Sequence, residues 1–308
     1  MEYQKFFVAA AVVAAIAGCG GSGTSISTPP TGHIYVVDSG NHRVVRVDDI
    51  VGTGWTTFGS AGSGVNQFGI ITDIAFDSQG RIYVMDETNS RIVRMDDMTG
   101  TGWTTFGTGG SGVDQFSVPQ KIALDSSDRI YVTDLGNHRI VRIDDMSGAN
   151  WVTYGTSGTG IGQFTSPEGI AVDSTGIYVT DMDANHIVRF TNMSGAGWTT
   201  FGAAGSGVGQ FDTPMEIALD HSHRMFIADR GGRIIRTSAM SQSGWMEIPL
   251  SVAQSVDVDS SGRIFTVDQN NYKLTLFASI SDTTGTHFGT IGSGVDQFSA
   301  PDSVVFGP

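Results

Sequence analysis

The segment from Arg129 to Arg142, Arg-Ile-Tyr-Val-Thr-Asp-Leu-Gly-Asn-His-Arg-Ile-Val-Arg, recurs in recognisable form along the chain. Within it Ile130 and Val132 alternate with residues of the other face, and Ile140 opens a second alternating run after the Asp-Leu-Gly-Asn-His corner. Period two on both sides of a polar corner is a β-hairpin. Equivalent hairpins begin at Ile34, Ile82, Ile130, Ile177, Met225 and Ile264, at steps of 48, 48, 47, 48 and 39 residues. Copies at such a period dictate a repeat architecture, because no single copy can bury its own apolar faces.

Each copy continues into a third run ending in Trp-Thr-Thr-Phe or a variant, then a glycine-rich connection, then a fourth run such as Lys121-Ile122-Ala123-Leu124-Asp125. Four strands per copy make one blade, and blades stacked around an axis leave only short edges. The expected fold is therefore all-β, a six-bladed β-propeller of four-stranded antiparallel blades. In three steps a proline precedes the next hairpin by 11, 10 and 11 residues: Pro119 to Ile130, Pro167 to Ile177 and Pro214 to Met225. After Pro301 no further hairpin follows, so Ser303 to Phe306 is expected to be the innermost strand of the blade built from residues 33 to 59. The N- and C-terminal strands would then close the ring.

These residues carry a family resemblance. Pro167-Glu168-Gly169-Ile170-Ala171-Val172-Asp173, Ile-Tyr-Val-Thr-Asp, Asn137-His138-Arg139-Ile140, Tyr/Phe-Gly and Gly-Gln-Phe together closely resemble the NHL repeat, over residues 33 to 308. The corner stands intact at Asn41-His42-Arg43 and drifts to Asn89-Ser90-Arg91 and Asn271-Tyr272-Lys273. The resemblance implies a menu of functions: protein binding, RNA binding, lyase chemistry or sensing.

The first eighteen residues read differently. An unbroken apolar run from Phe6 to Gly18 has the length of a signal-peptide core. It ends in Ile16-Ala17-Gly18-Cys19, which looks like a bacterial lipobox, and Cys19 is the sole cysteine. The expected division is signal peptide 1–18, lipid-anchored tether 19–32 and propeller 33–308. Gly20 after the cysteine suggests the outer membrane of a two-membrane cell envelope. With one cysteine, no disulfide forms within the chain.

Removal of the signal takes away Lys5 and Glu2, so the charge stays at 16 − 30 = −14. Nucleic-acid binding rests on basic side chains that release counterions from phosphates. Here the arginines fall mostly at repeat positions such as Arg46, Arg94, Arg142, Arg189 and Arg236, so no nucleic-acid partner is expected.

Several residues recur in nearly every copy. Trp55, Trp103, Trp151, Trp198 and Trp245 share one position, either as a belt of sugar-binding aromatics or, as we read them, as packing of each strand against its neighbour. Asp38, Asp86, Asp134, Asp181, Asp229 and Asp268 end the second strand and are read as turn residues accepting amides of the residues that follow, over a metal ring. His42, His138 and His186 lie at the same corner and are read as structural. In the Gln-Phe connections the phenylalanine is expected to plug the space between blades and the glutamine to bond its loop. The glycine spacing at Gly107-Thr108-Gly109-Gly110-Ser111-Gly112 precedes a strand, so it offers no helix N-terminus to a pyrophosphate.

A site is better sought where the copies disagree. Aligning the inner strands on Ile74, Ile122, Ile170, Ile217, Val256 and Val304 exposes a variable pair before each. The pairs are Thr72-Asp73, Gln120-Lys121, Glu168-Gly169, Met215-Glu216, Gln254-Ser255 and Asp302-Ser303. Inner strands line a propeller's channel, so Asp73, Lys121, Glu168, Glu216, Gln254 and Asp302 are expected at its mouth as a ligand-binding set. Asp73, Glu168, Glu216 and Asp302 would also suit a hard divalent cation such as Ca²⁺. The connection after the fifth hairpin is shorter by nine residues and lacks Gln-Phe, lowering the rim near Pro249 to Gln254.

The expected function is a noncatalytic binding or scaffold propeller, held at the membrane through Cys19, that takes a protein, peptide or glycan on its loop face. The alternative is a metal-dependent lyase or lactonase-like hydrolase, as the resemblance allows. None of the six variable pairs contains histidine, and His221 and His223 fall in a turn on the opposite face.

Overall fold

The computed structural model describes residues 32–308. Cys19 and the apolar run before it lie outside the described residues. Among the described residues there are six four-stranded sheets, each antiparallel from inner to outer strand. The second strand is the most deeply set; Ile130–Asp134, for example, is buried along its whole length. The third strand, Arg139–Ile143, keeps its valine and isoleucines inside and lifts its arginines toward solvent. The register pairs Ile130 with Ile143 and Asp134 with Arg139, so the corner closes on an acid-base pair.

The ring closes as expected. His33–Asp38, Arg43–Val47 and Thr56–Phe58 form the first blade with the C-terminal strand Pro301–Gly307. Ile34 pairs with Phe306 and Val36 with Val304, and Tyr35 donates its hydroxyl to the Pro308 carbonyl at 2.9 Å. Pro119, Pro167, Pro214 and Pro301 each open an inner strand, the place where a missing N–H costs no ladder bond. The sixth blade is the irregular one. Ala253 stands where those prolines stand, and the inner strand shrinks to Asp257–Val258.

Contacts between blades follow the repeat. Trp103 packs on Phe68 of the connection entering its blade, with centroids 5.3 Å apart, and on Phe58 of the preceding blade at 6.1 Å. The same wedge recurs with Trp55 on Phe298, Trp151 on Phe116, Trp198 on Phe164 and Trp245 on Phe211. All five phenylalanines are fully buried. Arg43, Arg91, Arg139 and Arg233 stack their guanidinium groups on the same tryptophans. The tryptophans are therefore packing residues.

The six aspartates are corner residues, with one correction to their partners. Asp134 accepts from the Ser117 amide at 2.7 Å, and Asp86 accepts from the Gly69 amide at 3.0 Å. Those donors lie in the connection entering the blade, earlier in sequence. Only Asp268 accepts the amides that follow it, those of Asn270 and Asn271. The side chains of Asn137 and Arg139 complete the clamp on Asp134, at 2.8 and 2.7 Å. His42 and His138 reach the carbonyls of Gly69 and Thr165 in the next connection, at 2.7 and 2.8 Å.

Candidate functional site

The inner strands place all six variable-pair residues together at the channel mouth. Lys121 is 1% exposed, and its Nζ donates to the Thr72 carbonyl at 2.9 Å. The same ammonium stands 2.9 Å from Glu216 Oε2 and 3.8 Å from Asp302 Oδ1. The Glu216 contact is ionic: Oε2 makes no well-directed hydrogen bond among the described residues. Asp73 accepts from the Ile122 amide and the Ser303 hydroxyl, both at 2.8 Å, which fixes it between two neighbouring inner strands. Gln254 Nε2 donates to Asp302 at 3.3 Å, while its Oε1 has no partner among the described residues.

Charge and burial set the protonation states. Burial alone would lower Lys121; Glu216, Asp73, Asp302 and Glu168 more than reverse this and hold its ammonium above the ordinary lysine range. Burial pushes Glu168 up to about 8, against the pull of Lys121 and with added repulsion from Asp302, Glu216 and Asp73. Burial also raises Glu216, Asp73 and Asp302. Further down the channel, Asp257 accepts the Phe306 amide at 2.7 Å and is pushed up to about 6 by burial. A cavity of about 380 Å³ occupies that lower end, lined by inner-strand residues such as Ile122, Ile170 and Ile217.

The mouth is therefore a buried cluster in which one ammonium is shared among several carboxylates. Among the described residues, no three histidine, cysteine or acidic side chains are grouped as ligands for a metal ion. The space between Glu216 and Asp302 already holds the Lys121 ammonium. The donor set does not fit the Ca²⁺ site suggested by the carboxylates alone.

A second feature of this face carries no signal in the variable pairs. Val65, Val113, Ile161, Val208 and Val295 occupy one position in the five long connections and are between 58% and 82% exposed. Each loop is held by its glutamine, as where the Gly112 amide donates to Gln115 Oε1 at 2.9 Å. The residue after the aliphatic adopts a left-handed conformation, φ 60° at Asn66, 58° at Asp114 and 74° at Gly162. That requirement explains why only Asn, Asp or Gly appears there. The sequence signal was an aliphatic kept within an otherwise polar Gly-Ser-Gly loop.

Comparison with known proteins agrees with the architecture. The NHL repeat family matches residues 25–47 and 116–143. The chain is a six-bladed β-propeller, and its likeness to the NHL repeat is shown over those two segments. No curated protein matches its sequence. A chain of a nidogen/laminin complex superposes with a TM-score of 0.69 at 17% identity, over 90% of this chain and 98% of that one. A streptogramin B lyase superposes with a TM-score of 0.61 at 13% identity, over 90% of this chain and 87% of that one. Virginiamycin B lyase from Staphylococcus aureus gives 0.55 at 16% identity, over 77% of each chain. At such identities the likeness is one of fold.

Proposed function

We propose that this propeller is a binding module that holds a protein partner on its loop face. The observation that carries the reading is the set of five bare aliphatics, Val65, Val113, Ile161, Val208 and Val295, raised on one face by internally bonded loops. Exposed apolar groups on rigid supports lose little entropy when covered, which favours association. The propeller of a nidogen/laminin complex offers a precedent for such a fold in a protein assembly. The channel mouth supports the lyase or hydrolase alternative less well, since its one lysine is already engaged by Glu216 and Asp302 and none of its six side chains is a histidine.

The reading extends to the N-terminus: Cys19, ending a lipobox-like run, anchors the propeller at the cell envelope, in the outer membrane. Labelling with a fatty-acid analogue tests the anchor, and equal labelling of wild type and Cys19→Ala rejects it. The binding reading is tested by capture from solubilised membranes, comparing the full chain with a variant in which all five aliphatics become serine. A partner retained by the wild type and lost by the variant is expected. Equal recovery with both proteins rejects the loop face as the binding surface.

A further inference from the structure

In four blades the corner arginine is bound to the loop that enters its blade. Arg139 donates to the carbonyls of Ser111 at 2.9 Å and Gln115 at 2.8 Å, and Arg91 donates to Ser63 and Gln67 at 2.7 and 2.8 Å. Arg43 and Arg233 repeat the arrangement on Ser293 and Gln297, and on Ser206 and Gln210. In three of the four the neighbouring asparagine donates to the same loop, as Asn137 does to the Gly110 carbonyl at 2.9 Å. Tryptophan closes the outer side of each of these slots.

At the sixth blade this lock is altered and its usual occupant is missing. The eight residues equivalent to 156–163 are absent between Pro249 and Leu250, the ninth residue of the shorter step being lost at the Asp229–Arg233 corner, and Leu250 takes the place of the plug phenylalanine. Gly285 stands where the tryptophan would be, so both halves of the wedge are lost at one slot. Lys273 replaces the arginine, half-buried and without a hydrogen-bond or ion-pair partner among the described residues. Asn271 turns back to Ser251 and Asp268, at 3.1 and 2.8 Å. What remains is a cavity of about 400 Å³ walled by Leu250, Lys273, Phe277 and His287.

We infer that this slot binds a loop of a partner protein that supplies what the chain lacks there. The chain's own filled slots define the chemistry: a glycine-containing segment that aims main-chain carbonyls at the cation and lays an apolar side chain in the space of the missing tryptophan. The complementarity is one of charge as well as shape, since Lys273 is a cation facing a space from which carbonyl acceptors have been removed. The inference rests on the proposed binding function and locates one point of contact for the partner.

The test uses the full chain and, as probe, a fluorescent peptide copying residues 107–117, read by anisotropy. Binding is expected, and Lys273→Glu should weaken it at least about tenfold. Inserting a copy of residues 156–163 between Pro249 and Leu250 should abolish it by filling the slot. Melting curves verify that each variant folds, and Lys273→Glu, at a half-buried position, decides the matter if the insertion does not fold. No binding, or binding unchanged in Lys273→Glu, overturns the inference. Self-association that Lys273→Glu abolishes overturns it in favour of a second copy of this chain. If the peptide fails while the five-aliphatic variant still loses its partner, the slot is rejected and the loop-face reading stands.

Discussion

The ammonium of Lys121 stands 2.9 Å from the carboxylate of Glu216, and the two come from inner strands separated by a whole blade. One side chain thus bridges the channel mouth and places a single positive charge among acids contributed by several blades.

Removing that cation leaves buried carboxylates uncompensated. Lys121→Met should cost about 3–5 kcal/mol in denaturant unfolding, the usual penalty for orphaning a buried charge. The double variant Lys121→Met with Glu216→Gln should recover part of the loss. Equal stability of wild type and Lys121→Met would show that the ion pair is not formed.

The same cluster sets a pH dependence. Glu168 and Asp257 have folded pKa values raised to about 8 and about 6, and Glu216 is raised as well, so the native state binds more protons than the unfolded chain above the ordinary carboxylate range. Stability must therefore fall as pH rises from about 5 to about 8. Toward acid the sign reverses, because Asp77, Asp125, Asp173 and Asp259 are lowered by their arginine and amide partners or, for Asp173, by Thr175 and His223, against the opposing effect of burial. Lys121, raised above the ordinary lysine value, adds stability that is kept throughout this window and lost only in strong alkali. Melting temperatures at pH 5 and pH 8 check the expectation. The higher value should lie at pH 5, and Glu168→Gln should reduce the corresponding difference in unfolding free energy by roughly 3 kcal/mol.

Closure predicts a third outcome. Deleting Pro301 to Pro308 strips His33–Asp38 of its inner partner and bares an edge beside buried Val36 and Val37. Aggregation on size-exclusion chromatography is expected. An unchanged cooperative melt would mean that the ring does not depend on this strand.

The ring itself was legible because period and register repeat: Trp103, Phe68 and Asp86 each recur at fixed offsets, and each recurrence marked a packing duty. The channel residues were legible for the opposite reason, as Lys121 and Asp302 break the pattern. The central place of Lys121 was not legible, since whether one ammonium reaches Glu216 depends on the width of the channel. The donors to Asp134 were misplaced because Ser117, distant along the chain, is brought back beside the corner by the connection. Val113 escaped notice because local sequence does not reveal that Gln115 folds its loop so as to leave that side chain bare.

The wedge between blades gives the last prediction. Phe116 is fully buried and its ring lies 5.5 Å from that of Trp151, while Arg139 covers the tryptophan's other contact surface at 5.6 Å. Phe116→Ala should cost about 3–5 kcal/mol, a core aromatic truncation with its cavity. Trp151→Ala should cost less, because Trp151 is only partly buried and its loss leaves a surface groove. If the two act as one wedge, the double variant should be less destabilised than the sum of the singles, by a coupling of about 0.5–1.5 kcal/mol. Urea unfolding of the four proteins measures that coupling. Strict additivity would show that the rings stabilise the blade independently, and would remove the reason why Phe and Trp are lost together, to Leu250 and Gly285, at the sixth slot.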